Sequence, residues 1–203
     1  MKASRLETIG SAAAGIAHDI NNQLTLIVNH LAVADTARAQ EAVRRCSQLT
    51  AGLLSYCKGE TAAPGPFDPG SFLRKFAEEL CLPEGIALVL EIPAGLPPIV
   101  AEPVGTMRAL SNLVSNACAA MDGVGTLWIT AAPGTIEVRD SGPGIPNGCA
   151  RQIFEPFFTT RGEKGTGLGL AIVRETMRQQ GGAVSVQSAP GKGAHFVLRF
   201  RLA

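Results

Sequence analysis

The chain has 203 residues, of which 46% are hydrophobic and 17% charged, with a formal net charge of +1. This composition supplies a core and excludes global disorder, and a nearly neutral chain is a poor electrostatic partner for nucleic acid or an anionic membrane. No apolar run reaches the roughly 18 residues of a membrane-spanning helix, and no signal peptide is evident. Five widely spaced cysteines without a CxxC pair indicate reduced thiols, so we expect a cytoplasmic protein without disulfides or a zinc site.

The first predicted element is a long amphipathic helix over about 4–34. Eight of its apolar residues fall within an arc of about 80° on a helical wheel: Leu6, Ile9, Ala13, Ile16, Ile20, Leu24, Ile27 and Leu31. His18 and Asn22 lie roughly 160° from the middle of that stripe, so both face water, one turn apart on the same face. A lone helix histidine is more often an ordinary core or surface residue, and the wheel argues against the core alternative.

A second predicted helix follows a short turn at Asp35 and Thr36, which supply a helix N-cap. Two helices joined by so short a turn form an antiparallel hairpin. Their apolar faces are too extensive for two helices alone, so we expect a homodimer in which a second copy completes a four-helix bundle. The proline- and glycine-rich residues 59–70 read as a linker, which divides the chain into a helical hairpin over 1–58 and a second domain over 71–203.

The second domain interleaves helices with mostly antiparallel strands, which predicts an α+β fold, an α/β two-layer sandwich. The apolar spacing predicts helices over 71–80, 104–121 and 168–180. It predicts strands over 87–92, 99–101, 127–131, 136–139, 183–188 and 195–201.

Asn112 and Asn116 lie at i and i+4 on one face of the predicted helix 104–121. Neutral amide oxygens aimed into a cleft suit Mg²⁺, which prefers oxygen ligands. Two amides at this spacing more often face solvent, so the pair alone is a weak indication of a metal site.

Asp140 directly follows a predicted strand, and Gly142 and Gly144 come after it. Glycines let the backbone approach a ligand closely, and a carboxylate past a strand end can accept a hydrogen bond from an exocyclic amine such as that of adenine. The simpler alternative, a glycine–proline turn with an incidental acid, is favoured if the motif stands alone.

A glycine-rich segment opens the last predicted helix, with glycines at 165, 167 and 169. It leaves backbone N–H groups free at a helix N-terminus, where the helix dipole favours phosphate. Arg161 and Lys164 add cationic donors, which a merely flexible loop would not need. The pattern is neither the dinucleotide-binding GxGxxG nor a P-loop.

In their order and spacing these motifs resemble those of two-component sensor histidine kinases. The segment AHDINNQL around His18 resembles the phospho-acceptor box, closest to the nitrogen-regulator type with its HDxNN pattern. The ATP-binding boxes and the closing strand of the family resemble, in chain order, residues 112–117, 140–146, 154–158, 165–170 and 191–196. The resemblance covers nearly the whole chain.

The resemblance implies a dimerisation and phosphotransfer hairpin followed by an ATP-binding domain of the GHKL (Bergerat) fold, and hence a protein-histidine kinase. By this resemblance His18 attacks the γ-phosphorus of ATP, and Asp19 orients the imidazole and takes its proton. Asn22 positions water for dephosphorylating the partner. The acceptor is an aspartate on the receiver domain of a response regulator.

The same resemblance gives the residues that bind ATP and Mg²⁺, with Asn116 as the metal ligand. The expected ATP-binding residues are Asn112, Asn116, Asp140, Gly142, Gly144, Thr160, Arg161, Lys164, Gly165, Thr166, Gly167, Leu168 and Gly169. Three positions depart from the family pattern: Ala119 replaces a common acid or lysine, Glu102 a common aspartate and Ala194 a common threonine. None belongs to the expected ligand set, so they bear on ATP affinity rather than on ATP binding.

Two alternatives remain from the sequence. A phosphotransfer-only module would share the hairpin but carry a weak or inactive ATP-binding domain. A GHKL ATPase of the chaperone or mismatch-repair kind would share the ATP boxes but has no use for an outward His-Asp-x-x-Asn.

Overall fold

The computed structural model describes residues 20, 22, 24–31, 35–40, 42, 43, 46, 50, 63–162 and 165–203. His18, Asp19 and Lys164 lie outside the described residues. By its internal contacts the chain divides into two compact units, Met1–Gly59 with Pro156–Leu168, and Glu60–Glu155 with Gly169–Ala203. In the part of the chain described, no helix combines the length and the apolarity needed to cross a membrane.

In the first unit, residues 24–31 and 36–40 are helical. Asp35 lies between them and caps the second stretch, because its Oδ1 accepts from the backbone N–H of Arg38 at 3.1 Å, as the sequence predicts. The Sγ of Cys46 lies 3.9 Å from the carbonyl oxygen of Ile20, so residues far apart in sequence meet here. Asn22 is exposed.

Among the residues described, the second unit contains three α-helices and eight strands. Its helices are α1 (Pro69–Glu78), α2 (Pro103–Ala120) and α3 (Gly169–Gln179), with a short 3₁₀ helix at Gln152–Phe154. Its strands are β1 (Gly65–Phe67), β2 (Ile86–Glu91), β3 (Ile99–Ala101), β4 (Gly125–Ala132), β5 (Thr135–Asp140), β6 (Ala183–Ser188), β7 (Ala194–Arg199) and β8 (Arg201–Leu202).

The strands form two sheets. The larger has the order β2-β4-β5-β7-β6, in which β2 and β4 are parallel and the other neighbours antiparallel. The smaller has the order β1-β3-β8 and is antiparallel. Helices α2 and α3 pack against each other and against the larger sheet. The structure therefore agrees with the predicted α+β class, a mixed sheet covered by helices.

Side-chain alternation in β4 and β5 builds the core under these helices. Leu127 and Ile129 from β4, and Ile136 and Val138 from β5, are at most 1% exposed. Successive strand residues point to opposite faces, so every second residue joins this buried row. Asp140 follows Val138 by two positions and therefore continues the row at the end of β5.

Helices α1 and α2 each begin with a proline that follows an acidic cap. The carboxylate of Asp68 accepts from the backbone N–H groups of Gly70 and Ser71 at 2.9 and 3.0 Å, and these bonds lower the pKa of Asp68. Glu102 caps α2 in the same way, through the N–H groups of Val104 and Gly105. Proline suits the first helical position because its missing N–H has no partner there. Glu102, a departure from the family pattern, is thus a helix cap.

The structure differs from the sequence prediction at both ends of this unit. The expected linker 59–70 contains β1, which pairs with β3, and the first residues of α1, so ordered structure begins before residue 71. The expected strand 195–201 is two strands in different sheets, because the backbone N–H of Phe200 donates to the carbonyl of Gly134 instead. An alternating pattern gives no sign of a change of partner.

Candidate functional site

A buried carboxylate, that of Asp140, lies at the end of β5, with 4% of its surface exposed. Among the described residues, it is the only buried acidic side chain at the end of a strand of the larger sheet. Its Oδ1 accepts from the backbone N–H of Gly142 at 2.9 Å and from that of Ala194 at 3.2 Å. Burial raises the pKa of this carboxyl, and the two amides act in the opposite direction. Both bonds end on Oδ1, which leaves Oδ2 to accept from a ligand.

The loop after Asp140 packs tightly on the turn between β6 and β7. Gly144 and Gly193 have φ values of +74° and +72°. A Cβ at Gly144 would overlap the carbonyl of Ala189, and one at Gly193 would overlap the carbonyl of Asp140. Glycine at 144 is therefore required by a contact with the protein's own backbone, and its contact with a ligand stays a prediction.

Asn112 and Asn116 both reach the start of α3. The Nδ2 of Asn112 donates to the carbonyl of Arg108 at 2.8 Å, which turns its Oδ1 away from that carbonyl. A Cβ built on Gly169, the first residue of α3, would lie 3.2 Å from Asn112 Oδ1 and 3.2 Å from Asn116 Nδ2. The first N–H groups of a helix have no partner within it and attract anions. Neutral amides thus adjoin a helix end suited to phosphate.

The loop Pro156–Leu168 belongs to the first unit. The backbone N–H of Phe157 donates to the carbonyl of Gly167 at 2.9 Å, which joins the two ends of the loop. Phe157 has φ +68° and Gly167 has φ +64°, and a Cβ at Gly167 would overlap the backbone of Phe157. Inside the loop, Thr159 Oγ1 accepts from the N–H of Arg161 at 3.1 Å.

The predicted site residues therefore fall in both units. In the second unit the structure brings the two asparagines to Gly169, and Gly142 to Asp140. Thr160, Arg161 and residues 165–168 lie in the loop of the first unit, where Thr160 and Arg161 are exposed.

Sequence reasoning did not single out Ser188 or Thr159, which organise the two loops. Ser188 Oγ accepts from the N–H of Ile145 at 2.8 Å and donates to the carbonyl of Gly193 at 2.6 Å. The one sequence signal for Ser188 is its place just before a glycine-rich turn, which many serines share. Ala194 was noted only for its side chain, whereas its backbone N–H makes the contact with Asp140.

Comparison with known proteins places the sequence among ATPases. The profile of the family described as histidine kinase-, DNA gyrase B-, and HSP90-like ATPase matches residues 101–203. The sensor kinase CckA of Brucella abortus is 32% identical over 97% of this chain and 24% of its own length. The sensor histidine kinase ZraS of Escherichia coli K12 is 33% identical over 96% and 46%. The sensory histidine kinase/phosphatase NtrB of Rhodobacter capsulatus is 36% identical over 52% and 34%.

The similarity to solved structures also extends over nearly the whole chain, as two of them illustrate. Full-length ShkA in complex with AMPPNP has a TM-score of 0.67 and 26% identity, covering 97% of this chain and 46% of that one. The histidine kinase ThkA in complex with the response regulator TrrA has a TM-score of 0.81, covering 100% and 64%, and at 24% identity this likeness concerns the fold. The chain spans less than half the length of the curated relatives CckA and ZraS.

Proposed function

Since this chain belongs to the histidine kinase-, DNA gyrase B-, and HSP90-like ATPase family, we propose that it is an ATP-dependent protein-histidine kinase. The observation that carries ATP binding is the buried carboxylate of Asp140, with Oδ1 held by two backbone amides and Oδ2 left for a base. The kinase branch is favoured over the gyrase and chaperone branches because similarity to sensor kinases extends over 96–97% of the chain, well before residue 101.

In this proposal ATP lies with its adenine amine donating to Asp140 Oδ2. Its phosphates meet the start of α3, with Asn112 and Asn116 beside them. Thr160, Arg161, Lys164 and the N–H groups of 165–169 are the further phosphate-binding groups that the family resemblance implies. Arg161 is exposed, so its charge is available to an anionic ligand.

The amide set fits a magnesium ion that is shared with phosphate. No group of three or more His, Cys, Asp or Glu side chains suited to a metal occurs in the described part of the chain. Mg²⁺ in nucleotide sites takes few protein ligands and completes its shell with phosphate oxygens and water. Asn116 would hold the ion, supported by Asn112, and the ion would neutralise charge on the phosphates.

The phosphoryl transfer is assigned to the first unit. The imidazole of His18 attacks the γ-phosphorus in line, ADP leaves, and Asp19 takes the imidazole proton. Such a reaction needs little covalent chemistry from the protein, so positioning and charge neutralisation supply most of the rate. The phosphoryl group then passes to an aspartate of a response regulator, and Asn22 positions water in the reverse, dephosphorylating reaction.

A homodimer through a helical hairpin belongs to the same proposal. The contact between Cys46 and Ile20 supports an antiparallel pair of helices. Leu24, Val28 and Leu31 share one helix face and are 49%, 65% and 55% exposed, which leaves an apolar stripe for a second copy to cover. A cytoplasmic location follows from the use of ATP as substrate and from the reduced cysteines expected from the composition.

Incubation with γ-labelled ATP tests the proposal. We expect acid-labile label on the wild type and none on His18→Gln, while the matched control His30→Gln, in the same predicted helix, keeps the label. If the label persists in His18→Gln, His18 is not the phosphoryl acceptor. ATP binding by calorimetry in the absence of any labelling would favour a phosphotransfer-only module instead.

A further inference from the structure

A serine hydroxyl joins the loop after Asp140 to the turn between β6 and β7. Ser188 is the last residue of β6 and lies opposite Ala194, the first residue of β7. Its Oγ accepts from the N–H of Ile145 at 2.8 Å and donates to the carbonyl of Gly193 at 2.6 Å. Both distances lie in the range of well-formed hydrogen bonds, so the hydroxyl is engaged as donor and as acceptor.

The carbonyl of Gly193 and the N–H of Ala194 belong to one peptide group. That group is planar, so fixing its carbonyl also fixes the direction of its N–H. The N–H points at Asp140 and donates to Oδ1 at 3.2 Å. A hydrogen bond received by the carbonyl also polarises the amide and strengthens its N–H as a donor. Ser188 therefore acts on the Asp140 carboxylate through a single peptide.

The loop after Asp140 also donates hydrogen bonds, both to Ser188 and to Asp140 itself. Ile145 lies on the segment that follows Asp140, and its N–H donates to Ser188. The N–H of Gly142, on the same segment, donates to Asp140 Oδ1. A second tie runs in parallel, from the N–H of Gly191 to the carbonyl of Pro143 at 2.7 Å. The loop, the turn and the carboxylate are thus held as one hydrogen-bonded unit.

We propose that Ser188 is a positioning residue for the base end of the nucleotide site: by orienting the Gly193–Ala194 peptide it holds Asp140 Oδ1 and aims Oδ2 at the exocyclic amine of adenine. The inference rests on the proposed function and adds a determinant of base selectivity to it. Adenine presents an amino group where guanine presents a carbonyl oxygen, which a carboxylate repels. Loosening the carboxylate therefore weakens adenine binding specifically.

The test is the binding of ATP and of GTP, each with Mg²⁺, to the full chain by calorimetry. We expect Ser188→Ala to weaken ATP about five- to tenfold, the loss of roughly one hydrogen bond, with GTP affinity nearly unchanged. Ser188→Thr keeps the hydroxyl, and because position 188 is exposed its methyl is tolerated, so ATP affinity returns to within about twofold. The matched control is Ser185→Ala on the same strand, whose hydroxyl accepts from Arg199 and should not affect either nucleotide.

A spectroscopic readout separates positioning from mere support of the fold. The amide proton of Ala194 should resonate downfield in the wild type and in Ser185→Ala, and move upfield in Ser188→Ala. If Ser188→Ala does not fold, Ser188→Cys replaces it, since a thiol is a weak donor, and should bind ATP more weakly than Ser188→Thr.

Three results would overturn the inference. Wild-type ATP affinity in Ser188→Ala or Ser188→Cys would show that the hydroxyl does not matter. Equal losses for ATP and GTP would assign Ser188 a purely structural role. A wild-type chain that binds neither nucleotide would overturn the proposed function itself, whereas the first two results leave that function intact.

Discussion

Gln180, directly after α3, accepts a hydrogen bond of 3.0 Å from the backbone N–H of Glu102 at the start of α2. The same Oε1 accepts from Thr106 Oγ1 at 3.3 Å, and Gln180 is 1% exposed. The Nε2 of Gln180 is buried with no partner among the described residues. The buried Oε1 of Gln180 thus links the end of α3 to the beginning of α2 through two hydrogen bonds.

Removing that oxygen should lower stability. Gln180→Leu keeps most of the volume but leaves the buried N–H of Glu102 without an acceptor. We expect the free energy of unfolding to fall by about 1–3 kcal/mol in urea titrations, partly offset because the unpartnered Nε2 is removed as well. Gln187→Leu, at an exposed position of β6, is the control and should change stability by less than about 0.5 kcal/mol. A Gln180→Leu protein as stable as the wild type would contradict this account.

Asp140→Asn tests the base contact with nearly unchanged shape. The amides of Gly142 and Ala194 select the oxygen of the new side chain, which turns its NH₂ group toward the ligand. A donor then faces the adenine amine, so we expect ATP affinity to fall about 10- to 100-fold by calorimetry. The exposed Asp122→Asn serves as the control and should bind like the wild type. If Asp140→Asn binds ATP with wild-type affinity, adenine does not contact Asp140.

The same substitution has a pH-dependent effect on stability. Burial raises the pKa of Asp140 in the folded state, so the ionised carboxylate opposes folding once the pH exceeds the unfolded-state value of about 3.9. Asp140→Asn should therefore be more stable than the wild type at neutral pH, and the difference should vanish on acidification below that value. The lowered pKa of Asp68 is common to both proteins and cancels. Urea unfolding of the pair across pH measures the difference, and a gap that widens in acid would refute it.

Gly169→Ala separates the stability of α3 from ligand binding. Alanine is the better helix former, so the free energy of unfolding should stay level or rise by at most about 1 kcal/mol. Its methyl group would lie 3.2 Å from both Asn112 and Asn116, which must shift. We expect a several-fold loss of Mg²⁺–ATP affinity without loss of thermal stability. Gly65→Ala has open space around its methyl group and should leave affinity unchanged. Equal ATP affinity in both variants would argue against a role for the amides.

Asn22→Ala addresses the two opposed reactions assigned to the first unit. We expect labelling by γ-labelled ATP to persist, because His18 and Asp19 are retained, and dephosphorylation of the response regulator to be lost. Asn29→Ala removes the same amide from another exposed helical position and should keep both activities. Parallel loss of both activities in Asn22→Ala would deny it a separate role.

Local sequence patterns predict most helices and strands of the second unit, because the periodicity of a helix or a strand depends only on residues close together in sequence. Strands β3 and β6 have the predicted bounds, and Asp140 was found because it follows a strand. The contact of Ala194 with Asp140 is not predicted, since it depends on β5 pairing with β7, which lies far along the chain. No local pattern of Ser188 or Ala194 indicates which strand will lie beside theirs. The same reason explains why the sequence predicts a linker where β1 forms.

Both groups that hold Asp140 Oδ1 are backbone amides, and every residue other than proline carries one. The side chain at position 194 can therefore change over generations while the carboxylate keeps its support, because only the backbone N–H of Ala194 contacts Asp140. Proline at 142 or 194 would remove one of these N–H donors. An insertion that shifts the register of β7 would move the N–H of residue 194 away from Asp140. Natural variation around this carboxylate is then limited by the length and path of the chain rather than by the identity of the side chains beside it.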